Sequence, residues 1–312
     1  MKAYLDIIRE IKDFARKPDG TYDWAPNRTG IPTIGIPGAM FRHDMAHGFP
    51  LVTTKKMGMK SILAELEFFI HGITDKKWLQ DRNCKIWNEW ATARKVKPAI
   101  EKYRAEHGGE ISDEIKNKIA AEEPDLGPIY GFQWRHFGAE YDFDNYATKN
   151  FKTDGVDQVQ KVIDMLHANP DDRRMIVSAW NPAAFPDQAL PPCHFAHHVV
   201  VKGGKLNLIW FQRSWDIFLG GPYNIASYAM LLKLYAKEGG FEEGILTGFS
   251  SDTHIYRNHM PQIEEQLSRE PRPLPTVEIP DDNWKGMLNW TASDVVLKDY
   301  DPYDSIKAEV AI

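Results

Sequence analysis

Apolar residues at the start of the chain recur at the spacing of a helix. Tyr4, Ile7, Ile8, Ile11 and Phe14 follow this spacing, and charged residues lie between them. One face of such a helix is apolar and the opposite face is charged. The pattern therefore predicts an amphipathic helix that packs on a core.

Two further kinds of pattern follow along the chain. The apolar stretches 61–72 and 224–238 predict core-facing helices. A turn at 27–30 leads into a β-rich stretch that ends at Phe41. Other runs are rich in β-branched and aromatic residues, which favours strands of one buried sheet. The predicted strands are 175–180, 195–201, 206–211 and 252–256.

Residues 92–123 differ sharply from their surroundings. Lysine, arginine and glutamate dominate there, aromatic residues are scarce, and Gly108-Gly109 divides the segment. Such a composition is typical of solvated helices rather than of a separate core. We predict a charged helical insertion within a single domain that spans 1–312.

Composition narrows the class of protein. Of the 312 residues, 43% are hydrophobic and 26% are charged, which is ordinary for a globular protein. The net charge of -6 argues against a dedicated nucleic-acid-binding protein but leaves room for a local basic pocket that binds a phosphate ester. The N-terminus lacks the apolar run of a signal peptide, and no stretch approaches the ~20 apolar residues of a membrane span. The two cysteines indicate no disulfide framework, so we expect a cytoplasmic protein without a membrane partner.

Cys193 is the first candidate for chemistry. Pro191 and Pro192 precede it and stiffen the backbone just before the thiol. A lone cysteine is most often a small buried hydrophobe, and that alternative stays open here. A nucleophilic thiol needs nearby positive charge, which lowers its pKa by stabilising the thiolate.

Arginines at turns and strand ends could supply this charge. Their planar guanidinium groups also suit bidentate capture of phosphate. For each of them, a surface salt bridge with a neighbouring aspartate is the alternative. The candidates are Arg28 on a turn, Arg173 and Arg174 before a strand, and Arg213 after a strand.

Three histidines, His194, His197 and His198, raise the question of a metal site. Strand alternation would place His194 and His198 on one face and His197 on the other. Zinc usually needs three or four convergent ligands, and the chain has no cysteine pair to add, so no metal is predicted. A Cys–His hydrolase is disfavoured as well, because adjacent residues on a strand point apart.

Asp252, His254 and Tyr256 alternate along a predicted strand and would face the same way. Such a row of hydrogen-bonding side chains suits a sugar hydroxyl. It suits a structural network equally well, and both interpretations stay open.

Taken together, the motifs resemble those of the folate-dependent thymidylate synthases. The match covers nearly the whole chain apart from 92–123, at a density that chance does not produce. The matching segments are NRTG (27–30), FPLVTTKK (49–56), IWNEW (86–90), LGPIYGFQWR (126–135), DRRMIVSAWN (172–181), LPPCH (190–194), QRS (212–214), LG (219–220), NIASY (224–228), SREPRP (268–273) and VAI (310–312).

The resemblance implies an α+β fold with a large mixed β-sheet, flanking helices and a homodimer packed sheet against sheet. Apolar residues on both faces of 206–211 fit that arrangement. It further implies reductive methylation of dUMP to dTMP by a single catalytic domain. The co-substrate would be 5,10-methylenetetrahydrofolate, which donates both the carbon and the hydride and leaves as dihydrofolate.

By the same resemblance, both subunits bind the nucleotide phosphate. Arg28, Arg213 and Ser214 would hold it from one chain, and Arg173 and Arg174 would reach it from the partner subunit. Each active site would therefore need the dimer.

The resemblance also implies roles in the reaction. Cys193 would add to C6 of the pyrimidine, which turns C5 into a nucleophilic enolate carbon. Tyr130 would position the base that removes the C5 proton, and Glu65 would relay protons around the folate and O4. Asn224 would read the uracil edge, because an amide can donate to O4 and accept from N3–H.

The remaining ligand contacts follow from the resemblance too. His254 and Tyr256 would hold the ribose 3′-hydroxyl, and Asp216 would contact the nucleotide and order the folate. Lys55 would meet the glutamate tail of the folate. The folate slot would be lined by Ile86, Trp87, Trp90, Leu190, Leu219, Gly220, Tyr223 and Ala311.

Four positions near these pockets depart from the family pattern, namely Trp215, Gly221, His198 and Ser251. Two rival functions stay open. A dUMP hydroxymethylase would add water instead of hydride at the last step, and a non-catalytic relative would only bind a nucleotide or RNA. Trp87, which shields the exocyclic methylene in the family, favours methylation.

Overall fold

A computed structural model describes residues 1–310. The predicted folate contact Ala311 lies outside the described residues. The helices are α1 (Lys2–Phe14), α2 (Met59–Ile70), α3 (Lys77–Gln80), α4 (Ala93–His107), α5 (Asp113–Glu122), α6 (Tyr130–His136), α7 (Gln158–Ala168), α8 (Gly220–Gly239) and α9 (Met260–Leu267). The strands are β1 (Thr33–Asp44), β2 (Ile176–Ser178), β3 (His194–Lys202), β4 (Lys205–Gln212), β5 (Trp215–Asp216), β6 (Glu242–Tyr256), β7 (Thr276–Glu278) and β8 (Val296–Lys298).

The main sheet has six strands in the order β1-β6-β4-β3-β2, with β5 beside β6. Strand β6 pairs antiparallel with β1 but parallel with β4, and β3 pairs antiparallel with both β4 and β2. The sheet is therefore mixed, and helices flank it. The predicted α+β class is confirmed.

Alternation along β4 shows how the sheet divides core from surface. Leu206, Leu208 and Trp210 are fully buried, whereas Ile209 and Phe211 between them are only partly buried. Helix α8 packs against β4 and β6, and α1 packs against β1. One face of β4 thus belongs to the helix-covered core, and apolar side chains also lie on the other face.

Several predicted boundaries were wrong, including the start of α8 and both ends of β2. The helix expected to begin at Asn224 begins at Gly220, and the strand expected over 175–180 is limited to Ile176–Ser178. Glycine has a low helix propensity, and this hid the first turn of α8 in the sequence. Proline is tolerated in a first turn, where its missing N–H has no intrahelical partner, so Pro222 does not stop the helix.

The predicted orientation of the histidines was also wrong. The register between β3 and β4 shifts between His194 and Ala196, as in a β-bulge, and this changes which side chains share a face. His194 Nδ1 lies 2.9 Å from Tyr228 Oη, and His197 Nε2 lies 3.3 Å from Tyr235 Oη. Both histidines therefore face α8, and burial lowers the pKa of each to about 3. Both are neutral at physiological pH.

Residues 92–123 contain α4 and α5. The side chains of Thr92 and Ser112 accept backbone hydrogen bonds at the two N-termini, which is the expected capping chemistry. The structure describes every residue of α4 and α5, and none of their side chains is buried. Among the helices of residues 1–310, none is both long and apolar enough to cross a membrane.

Candidate active site

Cys193 lies immediately before β3, and Arg213 lies immediately after β4. The Arg213 N–H donates to the Cys193 carbonyl at 2.8 Å, so the ladder between the two strands holds both residues together. The guanidinium donates to the carbonyls of Pro191 and Pro192 at 2.8 and 3.0 Å. These bonds place Arg213 Nη2 3.6 Å from the Cys193 sulfur.

The electrostatics of Cys193 are a balance of two effects. Burial raises the pKa of the thiol, whereas the positive charges of Arg213 and Arg28 lower it. Burial is the larger effect, so the pKa lies above its ordinary value. The arginines act in the predicted direction, but they do not produce the depressed pKa that the sequence suggested. The thiolate needs further stabilisation from a base or from additional positive charge.

Tyr130 opens α6 and reaches the same point. Its hydroxyl oxygen accepts the Cys193 backbone N–H at 2.7 Å. The ring stacks on His194 with centroids 4.4 Å apart and on Phe69 at 4.9 Å. Burial raises the pKa of Tyr130 well above its usual value, so the phenol keeps its proton and can donate it in a hydrogen bond.

Glu65 is a buried acid on α2. Its Oε1 accepts the indole N–H of Trp87 at 2.8 Å. Burial raises the pKa of the carboxyl to about 7, and the Trp87 hydrogen bond opposes this rise. A carboxyl that titrates near neutral pH can both give and take a proton, which is the property required of a proton relay.

Asn224 lies in the first turns of α8, and a neighbouring glutamine fixes its amide. Gln212 Nε2 donates to Asn224 Oδ1 at 3.0 Å and to the Ser214 carbonyl at 2.9 Å. The indole N–H of Trp210 donates to Gln212 Oε1 at 3.1 Å, which fixes the glutamine in turn. The Asn224 NH₂ group is therefore oriented away from Gln212. The sequence predicts no role for Gln212, and only its place beside Arg213 draws attention to it.

Asp216 and Lys55 form the next part of the site. Asp216 Oδ1 accepts the backbone N–H groups of Phe218 and Leu219 at 3.0 and 3.2 Å and so shapes the approach to α8. Lys55 is only 5% exposed, and its ammonium donates to the Phe218 carbonyl at 2.5 Å. Burial lowers the pKa of Lys55 to about 7, and Asp216 opposes this effect. The structure thus places Lys55 beneath the surface, and its contact with a folate tail stays a prediction.

The strand β6 carries the side chains expected at a sugar. His254 Nδ1 lies 2.8 Å from Asp252 Oδ1, and the rings of His254 and Tyr256 meet edge to face at 5.1 Å. Burial raises the pKa of Tyr256, and the charge of Arg28 opposes this rise. Arg28 therefore acts on both Tyr256 and Cys193, although it sits exposed on a turn.

Most residues that are predicted to line the folate slot are only partly buried and lie beside the core. Trp87 is the exception, because it is buried and bonded to Glu65. The side chain of Ile86 is 37% exposed. The half-buried members are Trp90, Leu190, Leu219, Gly220 and Tyr223.

Arg173 and Arg174 lie apart from this cluster. Both are exposed, and Arg174 donates to the carboxylate of Asp172. Arg173 borders a cavity of about 220 Å³ together with His198. In one chain, then, the structure does not bring these two arginines to Cys193. Residues 1–310 also contain no group of three or more His, Cys, Asp or Glu side chains that could hold a metal ion.

Two of the departures from the family pattern explain each other. Trp215 is 1% exposed, and its indole lies against the first turn of α8. A Cβ atom on Gly221 would be 3.4 Å from the Trp215 Nε1 and 3.3 Å from the Ile217 Cδ1. A larger side chain would have to displace the indole. Ser251 is exposed on β6, and nothing in the structure explains its difference.

Gly221→Leu should therefore destabilise the protein by about 1–3 kcal/mol through overpacking. Trp215→Ala should cost about 3–5 kcal/mol by opening a cavity. The double variant should be less destabilised than the sum by at least ~1 kcal/mol, because the leucine enters the space of the indole. Urea unfolding of all four proteins measures this coupling. Gly220→Ala is the control, since only Asn224 Oδ1, at 3.8 Å, would approach its Cβ; strict additivity would refute the pairing.

Similarity to known proteins extends over nearly the whole chain. Residues 2–312 match the protein family described as thymidylate synthase. One relative, the thymidylate synthase of Mycoplasma pneumoniae (strain ATCC 29342 / M129), is 40% identical over 314 residues, which cover 100% of each chain. This chain therefore belongs to the thymidylate synthase family of methyltransferases.

Proposed function

We propose that the protein methylates dUMP reductively to dTMP and uses Cys193 as the nucleophile. The observation that carries this proposal is the position of the Cys193 sulfur, 3.6 Å from Arg213 Nη2 and beside Tyr130. The guanidinium can stabilise the thiolate and contact the nucleotide phosphate at the same time. A phosphate-binding group next to a thiol fits a nucleotide substrate that is attacked by sulfur.

Covalent addition makes the chemistry accessible. The Cys193 thiolate forms a bond to C6, and the electron pair moves through C5 toward O4, so C5 becomes the attacking carbon. After C5 has gained its one-carbon unit, it must lose its proton. Tyr130, which keeps its own proton, holds the water or base that takes it. As that proton leaves, the bond between the one-carbon unit and the folate nitrogen breaks, and tetrahydrofolate is released from the exocyclic methylene. Hydride transfer from tetrahydrofolate to this methylene then breaks the bond between sulfur and C6, which frees the Cys193 thiolate and gives dTMP and dihydrofolate.

Glu65 and Asn224 act on the opposite edge of the base. The carboxyl of Glu65, with a pKa of about 7, exchanges a proton with O4 through a hydrogen-bonded path. The Asn224 NH₂ group donates to O4, and the second lone pair of its Oδ1 accepts N3–H. The bond from Gln212 holds the amide in this orientation, which selects uracil over cytosine.

The half-buried surface around Trp90, Leu190 and Tyr223 fits the flat ring system of a reduced folate. Asp216 accepts both backbone N–H groups through Oδ1. Among residues 1–310 its Oδ2 has no donor, so this oxygen is available to a ligand. Bound there, 5,10-methylenetetrahydrofolate supplies both the carbon and the hydride. Trp87 covers the reacting carbon and keeps water from it, which favours hydride over hydroxyl transfer.

We also propose a homodimer formed by the face of the sheet opposite α8. Phe211 and Phe249 stack there at 6.0 Å, and Ile176 and Met40 are 48% and 54% exposed. Exposed apolar sheet surface of this kind marks an interaction site. Arg173, which borders a cavity with His198, lies close to this face. In the dimer, Arg173 and Arg174 of the partner subunit complete the phosphate site and add the charge that the thiolate lacks.

We further propose that residues 1–312 act as one catalytic domain in a reducing cytoplasm. Cys84 and Cys193 are both free thiols, and Cys84 is buried. An oxidising compartment would threaten the nucleophile on which the proposed reaction depends.

A product assay tests the proposed function. The protein is incubated with dUMP and 5,10-methylenetetrahydrofolate, and the mass of the product and the oxidation state of the folate are measured. We expect dTMP with dihydrofolate. Hydroxymethyl-dUMP with tetrahydrofolate would instead establish the hydroxymethylase, and no turnover by a folded dimer would favour the non-catalytic relative.

A further inference from the structure

Lys76 is a buried lysine outside the site described so far. The residue is only 1% exposed. Its ammonium donates to three backbone carbonyls, those of Asn88, Trp90 and Ala120, at 3.1, 2.8 and 2.7 Å. An ammonium has three N–H donors, so all of them are satisfied. Burying a lysine is unfavourable unless its charge is compensated, so this arrangement calls for an explanation.

The three carbonyls come from two separate pieces of chain. Asn88 and Trp90 belong to the turn that directly follows Trp87, and the Trp90 N–H donates to the Trp87 carbonyl at 3.2 Å. Ala120 lies in the last turn of α5, whose carbonyls lack intrahelical partners. The Lys76 N–H also donates to the Pro124 carbonyl at 2.9 Å. Lys76 thus joins the Trp87–Trp90 turn to the end of the exposed α4–α5 segment.

The charge of Lys76 is suited to this task. Burial lowers its pKa to about 8, while Glu123, Glu89 and Asp75 oppose the shift. A cation is also favoured at the C-terminal end of a helix, where α5 presents its free carbonyls. A protonated Lys76 therefore connects α5 to the turn through charged hydrogen bonds.

We propose that Lys76 is a positioning residue for the folate. Lys76 fixes the carbonyls on both sides of Glu89 and so sets the placement of Trp87 and Trp90. The indole N–H of Trp87 in turn donates to Glu65 Oε1 at 2.8 Å. The α4–α5 segment is then part of the folate site through Lys76, although neither helix contributes a lining residue. This inference rests on the proposed function, and it gives the charged segment a role that its exposed surface does not suggest.

Lys76→Met tests the proposal, because methionine retains the apolar part of the side chain and removes the donors. We expect the KM for 5,10-methylenetetrahydrofolate to rise about tenfold to a hundredfold, since misplacement of a positioning group by ~1 Å has effects of this size. The KM for dUMP should stay within about twofold, because Arg213 and Asn224 lie on other elements. A merely structural role would instead lower the active fraction, and thus kcat, with both KM values unchanged. Lys77→Met is the matched control, since Lys77 is exposed and pairs with Asp81.

A second variant guards against a folding failure of Lys76→Met. Ala121 is exposed, and Ala121→Pro distorts the last turn of α5 without touching Lys76 or Trp87. It should raise the KM for the folate in the same direction, by about threefold to tenfold. Equilibrium binding of tetrahydrofolate to the dUMP complex separates this inference from the proposed function, because tetrahydrofolate lacks the one-carbon unit and cannot turn over. If both variants bind folate as the wild type does, or lose dUMP and folate affinity equally, Lys76 has no positioning role.

Discussion

Cys193→Ala should reduce turnover by at least about 10⁴-fold while dUMP still binds. Loss of a covalent nucleophile removes the whole pathway through the C6 adduct, and deletions of this kind are among the largest single effects in enzymes. Binding should persist because the proposed phosphate contacts come from arginines, and Arg213 is held by the carbonyls of Pro191 and Pro192 independently of the sulfur. The thiol group is also small, so alanine should leave the fold intact.

Two measurements check this expectation. Equilibrium dialysis gives the dUMP affinity of the variant. Intact mass spectrometry shows whether only the wild type forms a covalent adduct with the nucleotide. Cys84→Ala is the matched control. Cys84 is 1% exposed, its sulfur lies 3.7 Å from the Ser61 carbonyl, and burial raises its pKa to about 11, so it should remain an inert thiol. Turnover of Cys193→Ala near the wild-type rate would refute the nucleophile assignment.

The sequence predicted the elements of the fold better than it predicted their details. The apolar and aromatic run at 206–211 indicates β4, and the period of the first helix indicates α1. Both patterns are local consequences of burial. The β-bulge after His194 is different, because a register shift depends on the partner strand and leaves no mark in the spacing of residues. For that reason the expected alternation of the histidines failed.

The candidate site shows the same limit at the level of side chains. The thiol and its neighbouring arginines are residue types that indicate chemistry, so Cys193 and Arg213 could be proposed from motifs. The bond from Gln212 to Asn224 depends on a tertiary contact between β4 and α8. The burial of Lys55 depends on a contact between the segment before α2 and the turn before α8. The pKa of Cys193 depends on the balance of burial and charge, and the sign of that balance follows only from the folded structure.

Glu65→Gln should lower kcat by about 10²–10⁴-fold, because an amide cannot relay a proton. The amide oxygen can still accept the Trp87 indole N–H, so the geometry of the slot should survive. The wild type should show a limb in its pH–rate profile near the Glu65 pKa of about 7, and the variant should lack it. Glu67→Gln is the matched control, since Glu67 is also buried on α2 but accepts the Ala292 N–H.

The same substitution should lower kcat but increase stability at high pH. The effect on stability makes the assigned pKa of Glu65 testable without turnover. Burial raises the pKa of Glu65 from 4.5 in the unfolded chain to about 7 in the folded protein. The folded state therefore holds the proton more tightly, so the contribution of Glu65 to wild-type stability is largest below pH 4.5 and is lost as the pH rises through about 7. Glutamine does not titrate, so this loss is absent in Glu65→Gln.

The difference between the free energies of unfolding of Glu65→Gln and the wild type should accordingly shift by about 3 kcal/mol in favour of the variant when the pH rises from 4 to 8. Urea unfolding of both proteins at the two pH values measures the difference, and all other titrating groups cancel in the comparison. A group that is buried at a cost to stability and yet required for turnover is expected where catalysis needs a tuned acid. If the stability difference does not change with pH, Glu65 is an ordinary ionised carboxylate, and another group must move the proton.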